Sequence, residues 1–337
     1  MNKVFVTGAN GFIGRHLIAS LLRKGCTVRA VVRSTSGLPA WPESIEVTVG
    51  DIRDFSRVTP GISGCDTVFH LAAKVESPSH GEDHEEEYLA VNVEGTVNVL
   101  RAAAEAGAGR LIYFSSVKAM GESTRGCVDE SYPARPTTAY GRSKLQAEKL
   151  ILEHGKQHDV HVVCLRLPLV YGPGNKGNLL KMLAAVDRGL FPPVSNKGPL
   201  RSMVHVGNVV DAALKAATDQ AAKGQCYIVT DARAYSVREL HELFCRGLGI
   251  RVPRWQIPVA VLRSLGYVGD ALGTLAGRTL PINSDVLAKL VEPACYSSAK
   301  ITNELGFKPR LTLEQALPEI IRWYREGREQ RTTDDEH

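Results

Sequence analysis

Lys3-Val-Phe-Val-Thr7 runs directly into Gly8-Ala-Asn-Gly-Phe-Ile-Gly14 near the start of the chain. The β-branched and aromatic residues of 3–7 predict a buried strand. After Gly14 the apolar residues recur at helical intervals, so the three glycines lie on a strand-to-helix turn. Glycine lets backbone turn tightly and approach a ligand closely, and the helix directs its N-terminal N–H groups at the same point. The stretch therefore predicts a diphosphate, and hence dinucleotide, site; the alternative is an ordinary loop that needs glycine for its geometry.

Strand and helix patterns alternate through the first half of the chain and predict a doubly wound, parallel α/β sheet of the Rossmann type. After residue 168 this alternation gives way to segments rich in proline and glycine. We expect a dinucleotide-binding domain over 1–168 with a return segment about 203–230. A smaller, interleaved C-terminal substrate-binding portion is expected over 169–202 and 231–325, followed by a frayed tail at 326–337. The predicted strands are 3–7, 27–33, 45–50, 67–72, 110–114 and 161–167, and the predicted long helices are 86–106 and 138–154.

Composition excludes several classes of function. The net charge is +5 over 337 residues, and the dispersed lysines and arginines argue against nucleic-acid binding. Seven cysteines without a CxxC pair predict reduced thiols rather than a disulfide framework or a zinc site. The acidic run 80–87 lacks the spacing of metal ligands, so no metal is expected. The apolar stretch 257–268 is too short and interrupted to span a membrane, and the absence of a leader before residue 3 predicts a cytoplasmic protein.

Tyr140-Gly-Arg-Ser-Lys144 places a tyrosine and a lysine on one face of a predicted helix. A free tyrosine is a poor base at neutral pH, because its unperturbed pKa is about 10. We expect the neighbouring ammonium and the helix N-terminus to lower that pKa. The pair then suits proton transfer at an alcohol oxygen while a hydride leaves or joins the same carbon. An exposed Tyr/Lys pair on an amphipathic helix would show the same spacing.

Ser115 and Ser116 follow Leu111-Ile-Tyr-Phe114 at the end of a predicted strand. Ligands of open α/β sheets bind beyond the carboxyl ends of the strands, where a serine can donate a hydrogen bond to a carbonyl oxygen. The glycine turn, the strand-end serine and the Tyr/Lys pair thus occur in an order that favours an oxidoreductase.

These motifs, with Gly50-Asp-Ile52, His70-Leu-Ala-Ala73, Asn92 and 166–174, resemble the extended short-chain dehydrogenase/reductases, the NAD-dependent epimerase/dehydratase family, over nearly the whole chain. The resemblance implies three catalytic residues: Ser116, Tyr140 as general acid/base, and Lys144, which also holds the nicotinamide ribose. It implies a cofactor site formed by Gly8, Asn10, Gly11, Phe12, Ile13, Gly14, Arg33, Asp51, Ile52, Leu71, Ala72, Ala73, Tyr140, Lys144, Leu167, Pro168 and Val170.

One departure from the family pattern bears on the cofactor. Members that use NAD usually carry an acidic residue where Val32 stands, and here Arg33 follows instead. A guanidinium suits a 2′-phosphate, so NADP is favoured over NAD. A solvent-exposed arginine after a strand is the alternative interpretation.

Other motifs bear on the substrate. Val117-Lys118 stands where sugar 4,6-dehydratases of the family carry an acidic pair, which argues against that reaction. Segment 200–208 resembles the one whose arginine binds a nucleotide sugar's phosphate, so Arg201, with Lys118 and Asn178, is a candidate substrate contact. The whole is similar to a bacterial subgroup acting at C4 of UDP-N-acetyl sugars. We expect a homodimeric enzyme that transfers a hydride at C4 of a nucleotide sugar, of the UDP-4-keto-hexose reductase type.

Three alternatives remain. A UDP-sugar 4-epimerase with tightly bound NAD would use the same groups twice. A dehydrogenase of a sterol-like or other apolar secondary alcohol is favoured by Leu169, which stands where many sugar epimerases carry an asparagine. The missing arginine near 287–289 and the apolar region 257–280 favour it as well. A cofactor-bound protein without turnover is disfavoured by the intact Ser116, Tyr140 and Lys144.

Overall fold

The computed structural model describes residues 1–36, 38–76, 84–121, 126–175, 177–195, 200–258, 261, 264 and 294–334. The strands of this part of the chain are β1 Lys3–Thr7, β2 Thr27–Val32, β3 Glu46–Val49, β4 Thr67–His70, β5 Arg110–Ser116, β6 Cys127–Val128, β7 His161–Leu167, β8 Leu169–Tyr171, β9 Leu200–His205, β10 Gln225–Ile228, β11 Ala234–Ser236 and β12 Cys295–Tyr296. The α-helices are α1 Phe12–Arg23, α2 Phe55–Ile62, α3 Glu85–Tyr88, α4 Gly95–Glu105, α5 Ala139–His158, α6 Asn178–Asp187, α7 Val206–Thr218, α8 Val237–Leu248, α9 Ala299–Leu305 and α10 Leu313–Asp334.

Seven parallel strands form the main sheet in the order β10-β7-β5-β4-β1-β2-β3. Successive residues along each strand point to opposite faces of the sheet and pack into different apolar cores. On β1, Val4 and Val6 join one apolar core with α1 and α7, while Phe5 joins the other with α2, α4 and α5. Both faces are covered, as a parallel sheet requires. The predicted doubly wound sheet is confirmed, and its strand order reverses between β1 and β4, which opens a crevice beyond their carboxyl ends.

A second, three-stranded sheet of order β11-β9-β8 lies beside α6, α8 and α10. Its core buries Tyr171, Tyr235 and Phe244 almost completely. Between β9 and β11 the chain returns through β10 to the main sheet, next to β7. The substrate-binding function of this second region stays a prediction.

Several element ends differ from the sequence prediction. β5 runs two residues farther than predicted and ends at Ser116. The predicted helix 86–106 contains a π-helical segment, Leu89–Glu94, between α3 and α4. α10 continues to Asp334, where a frayed tail was expected, since its glutamates and arginines favour helix.

The expectation of reduced thiols is wrong for two of the seven cysteines. Cys127 and Cys295 form a disulfide, with their Cα atoms 4.3 Å apart, where β6 pairs with β12. They are separated by 168 positions, so their spacing in the sequence gave no sign of it. Cys26, Cys65, Cys164, Cys226 and Cys245 are free thiols.

Within the described ranges, none of the helices is long and apolar enough to cross a membrane. Most of the apolar region 257–280, the position near 287–289 and the start of the acidic run 80–87 lie outside the described residues.

Candidate active site

The glycine turn packs against the loop that follows β4. Gly8 has a φ of +66°, and a Cβ on it would stand 2.8 Å from the backbone nitrogen of Ala72. A Cβ on Gly14 would stand 2.3 Å from the carbonyl oxygen of Gly8. Neither position has space for a side chain, so the glycines let β1, the turn and α1 meet closely. Gly11 is the N-cap of α1, and the predicted cofactor residues 8–14 therefore lie at the crevice between β1 and β4.

A chain of buried hydrogen bonds fixes the loop after β4. The Thr7 hydroxyl accepts from the backbone N–H groups of Leu71 and Ala72, at 3.1 and 3.0 Å. Its oxygen lies 2.7 Å from Nδ1 of His70, whose Nε2 lies 3.0 Å from Thr96 Oγ1. Burial lowers the pKa of His70 to about 3, so the ring is neutral. Because the Thr7 hydroxyl accepts the two N–H bonds, its own proton goes to Nδ1, and Nε2 donates onward to Thr96.

The predicted adenosine end lies beyond the carboxyl ends of β2 and β3 and is exposed. The Arg53 guanidinium donates to the Asp51 carboxylate, with Nη2 2.8 Å from Oδ2. This bond is the main reason that the pKa of Asp51 is lowered, and the charge of Arg33 acts in the same direction. The Ile52 side chain is buried against Gly95, where a Cβ would stand 2.6 Å from Cδ1. The contact of Ile52 with a cofactor stays a prediction. We call Arg33, Asp51 and Arg53 the adenosine edge.

The three predicted catalytic residues meet where β5 ends and α5 begins. Tyr140 lies in the first turn of α5, which is capped by the Thr138 hydroxyl. Ser116 ends β5, and its side chain is hydrogen-bonded to that of Tyr140. Lys144, one helical turn after Tyr140, is 1% exposed, and its Nζ donates to the Phe114 carbonyl at 2.7 Å.

The acidity of Tyr140 is the reverse of what the spacing predicted. Burial raises the pKa of its hydroxyl to about 12, and the hydrogen bond with Ser116 only partly opposes this. The Lys144 ammonium lies 4.2 Å from the centroid of the Tyr113 ring, and burial lowers its pKa to about 7. In this arrangement Tyr140 is a protonated phenol at neutral pH, suited to donate a proton to an oxygen that gains negative charge.

Asn92 and Tyr88 form the side of the site that faces Tyr140, and the sequence analysis did not identify their contacts. The π-helical segment presents Asn92, whose amide accepts from the Lys74 backbone N–H at 2.8 Å and donates to the Lys74 carbonyl at 3.1 Å. It also donates to Ser143 on α5, at 2.9 Å. The Tyr88 ring stands edge-on to Tyr140, 5.8 Å between centroids. Asn92 is one of the residues that resemble the family, and π-bulges occur frequently at functional sites.

The sequence analysis also did not identify a buried hydrogen-bond network one turn beyond Lys144. Ser115 donates to Glu148 Oε1 at 2.6 Å, and Arg166 donates to both carboxylate oxygens, with Nη2 2.7 Å from Oε2. All three residues are buried. The signal available in the sequence was the spacing Tyr140-x₃-Lys144-x₃-Glu148, which extends one helix face by a further turn.

The structure divides the predicted substrate contacts between the two sheets. Lys118 lies in the 3₁₀ helix Val117–Met120 directly after Ser116 and is half-buried at the catalytic edge. Arg201 lies on β9, opposite Tyr235 of β11, and is half-buried. Asn178 is exposed at the first position of α6. The remaining predicted cofactor residues, Leu167, Pro168 and Val170, lie where β7 leads into β8 and join the two sheets.

The crevice fits a dinucleotide. Gly8, Gly11 and Gly14 place no side chains beside the N-terminus of α1, whose N–H groups suit a diphosphate. The adenosine edge and the catalytic residues lie beyond strands on opposite sides of β1 in the same sheet. Among the described residues, no three histidine, cysteine or acidic side chains are grouped to hold a metal ion.

Comparisons with known proteins agree with this geometry. The chain is 30% identical over 336 residues to the 3 beta-hydroxysteroid dehydrogenase/Delta 5→4-isomerase of Mycobacterium tuberculosis, covering 96% of this chain and 90% of the relative. It is 30% identical over 327 residues to a UDP-glucose 4-epimerase of Vibrio cholerae, covering 94% and 93%. Among solved structures, MoeE5 in complex with UDP-glucose and NAD superimposes with a TM-score of 0.76 at 28% identity, covering 97% of this chain and 99% of that one.

The match to a family covers the main sheet and its return. Residues 4–229, more than half of the chain, match the family described as "NAD dependent epimerase/dehydratase family". This span runs from β1 through the glycine turn, the catalytic residues and β10. The chain therefore belongs to the NAD-dependent epimerase/dehydratase family and is an enzyme of the oxidoreductase or isomerase type.

Proposed function

We propose that this enzyme reduces a 4-keto nucleotide sugar, with Ser116, Tyr140 and Lys144 as its catalytic residues. The observation that carries the proposal is the geometry of the site: Ser116 ends β5, Tyr140 lies in the first turn of α5, and Lys144 lies one turn farther along the same helix. Burial raises the pKa of Tyr140 to about 12, so the phenol is protonated at neutral pH and can donate to a carbonyl oxygen.

Each residue has a distinct part in the reaction. The Ser116 hydroxyl donates a hydrogen bond to the carbonyl oxygen and orients it. Tyr140 transfers its proton to that oxygen as the carbonyl carbon becomes tetrahedral. Lys144 supplies positive charge beneath the phenol, which stabilises the phenolate left behind. A nicotinamide cofactor, held by the glycine turn and the loop after β4, supplies the hydride.

NADP is the proposed cofactor, because Arg33 stands beyond β2 on the exposed adenosine edge and suits a 2′-phosphate. The family and the NAD bound in MoeE5 support a nicotinamide dinucleotide in general. Asp51 shares this edge, and its carboxylate is already hydrogen-bonded to Arg53.

A nucleotide sugar is favoured over an apolar alcohol by Arg201, a half-buried cation on the three-stranded sheet. A guanidinium matches the diphosphate of a UDP-sugar, and an apolar alcohol offers no anion to it. The UDP-glucose bound in MoeE5 supports the same class.

A second candidate is the oxidation or reduction of a sterol-like secondary alcohol or ketone. The similarity to the mycobacterial 3 beta-hydroxysteroid dehydrogenase favours it, as does Leu169 in place of a sugar-binding asparagine. The catalytic residues would act in the same way on either substrate.

One set of assays separates the candidates. Purified enzyme is mixed with NADPH or NADH and, in turn, a UDP-4-keto-hexose, UDP-glucose and a 3-ketosteroid, and absorbance at the reduced nicotinamide band is followed. We expect stoichiometric NADPH oxidation with the 4-keto sugar, at a rate that is about 10²–10⁴-fold lower in the Tyr140→Phe variant. Turnover of the steroid alone would support the second candidate. Interconversion of UDP-sugars without net cofactor consumption would support an epimerase.

A further inference from the structure

Lys144 is a cation in an unfavourable place. It is 1% exposed, and its Nζ has the Phe114 carbonyl and the face of the Tyr113 ring as described partners. A buried ammonium is costly without a compensating negative charge. The proposed function nevertheless needs its charge beneath Tyr140, so a group near Lys144 must stabilise the ammonium.

The titratable groups that face Lys144 come from each element packed against it, and most of them are neutral. Burial lowers the pKa of His70 on β4 and raises the pKa of Tyr113 on β5 and of Cys164 on β7. Tyr140, on the same helix, is a protonated phenol. None of these four supplies a negative charge at neutral pH. The charged groups that remain are Arg166 and Glu148.

Glu148 is held rigidly one turn beyond Lys144 on α5. Its Oε1 accepts from Ser115 at 2.6 Å and from Arg166 Nε at 3.0 Å, and its Oε2 accepts from Arg166 Nη2 at 2.7 Å. Ser115 and Arg166 stand opposite each other in the register of β5 and β7. The carboxylate is 2% exposed, so no described route leads it to solvent. It therefore cannot turn away from the helix face that it shares with Lys144.

We propose that Glu148 is a positioning residue for Lys144: clamped by Arg166 and Ser115, its carboxylate stabilises the ammonium form of the lysine beneath Tyr140. This inference rests on the proposed roles of Tyr140 and Lys144 and adds a carboxylate, a guanidinium and a hydroxyl that do not themselves touch substrate. It also gives a role to Ser115, the strand-end serine that is not one of the three proposed catalytic residues: its hydroxyl helps to hold the Glu148 carboxylate.

The direct test is a titration of Lys144 in the cofactor-free protein, which needs no knowledge of the substrate. Protein labelled with ¹³C at the lysine ε-carbons is titrated by NMR, and the Lys144 signal is assigned as the one missing from Lys144→Met. The lysine pKa is about 7 in the intact network. In Glu148→Gln the midpoint should fall by about one unit or more, because a nearby opposite charge is lost.

Two further variants keep the result interpretable. Glu148→Gln leaves Arg166 buried without its partner and can lose its fold, so the double variant Glu148→Gln/Arg166→Gln removes both charges together. Its Lys144 midpoint should also fall, by less. Glu153→Gln removes the same charge from the exposed side of α5 and should leave the midpoint unchanged. An unchanged Lys144 midpoint in either folded Glu148 variant overturns the proposal.

The pH profile of turnover gives an independent reading. If the ammonium is required, activity falls as pH rises through the Lys144 pKa, and this falling limb should move to lower pH in Glu148→Gln. Activity should then recover on acidification. A loss that is equal at every pH would assign Glu148 a purely structural role and overturn the proposal. Failure of the proposed function is distinguishable, because it shows as full activity of Tyr140→Phe with the Lys144 titration unaffected.

Discussion

Two regions of this enzyme differ in how far their charged side chains are buried. In the catalytic wall, which we define as Ser115, Ser116, Tyr140, Lys144 and Glu148, the charged groups are buried and each has a fixed partner from the protein. On the adenosine edge the side chains of Asp51 and Arg53 are 30% and 54% exposed. Burial makes electrostatic effects large, whereas water screens them at the edge.

The difference predicts where substitutions will be severe. In the wall, the side chains that would meet the reacting oxygen, Ser116 and Tyr140, are held by the protein, so a change to either should alter turnover by orders of magnitude. On the edge, and at the half-buried Lys118, a change should alter only the affinity for the ligand group it meets. The comparison fails if variants of the two regions lose activity in the same way.

The largest effect is expected for Tyr140→Phe. It removes the proposed proton donor but keeps the ring that contacts Tyr88, so turnover should fall by about 10²–10⁴-fold with cofactor affinity unchanged. Steady-state kinetics and cofactor titration measure the two quantities. Tyr324→Phe removes a hydroxyl bonded to Asp187, remote from the wall, and is the matched control. A Tyr140→Phe enzyme that keeps more than a tenth of the wild-type rate would show that the tyrosine is not the proton donor.

Ser116→Ala should follow, with a loss in turnover of roughly 10²-fold, because a donor to the reacting oxygen is removed. Ser115→Ala should be milder, since it takes one hydrogen bond from Glu148 and leaves the bonds from Arg166. Parallel measurements of kcat at saturating cofactor test the order. A larger loss from Ser115→Ala would reverse the assignment of the two serines.

The sequence predicted these regions unequally, for physical reasons. The glycine turn and the Tyr140–Lys144 pair depend on local spacing, so both could be located from the sequence. The clamp on Glu148 joins α5 to Arg166 on β7, and the disulfide joins residues 168 positions apart, so both depend on tertiary structure. The pKa of Tyr140 was predicted in the wrong direction because the spacing shows a lysine one turn away but not the burial of the hydroxyl, which raises the pKa.

On the adenosine edge, Arg33→Ala should weaken NADP by roughly 10- to 100-fold and leave NAD nearly unchanged. Only NADP carries a 2′-phosphate, and a charge-assisted hydrogen bond to it contributes about 1.5–3 kcal/mol. Dissociation constants for both cofactors are measured by fluorescence titration. Arg57→Ala removes another exposed charge, on α2, and should change neither dissociation constant. Equal small changes for both cofactors would leave Arg33 without a part in selecting NADP.

The smallest effect is expected for Lys118. It lies two residues after Ser116 of the catalytic wall, but its side chain is only half-buried. The Lys118 backbone N–H donates a hydrogen bond to Ser116 Oγ at 3.2 Å, so substitution of the side chain leaves that contact in place. Lys118→Met keeps the length and removes the charge. If the ammonium meets a hydroxyl, an N-acetyl carbonyl or a phosphate oxygen of a nucleotide sugar, KM should rise several-fold while kcat and cofactor affinity stay constant, the pattern of lost ground-state binding. Lys149→Met, on the exposed side of α5, controls for the change in net charge. An apolar substrate offers no such acceptor, so an unchanged KM for every UDP-sugar tested would remove Lys118 as a substrate contact and weaken the preference for sugars over sterols.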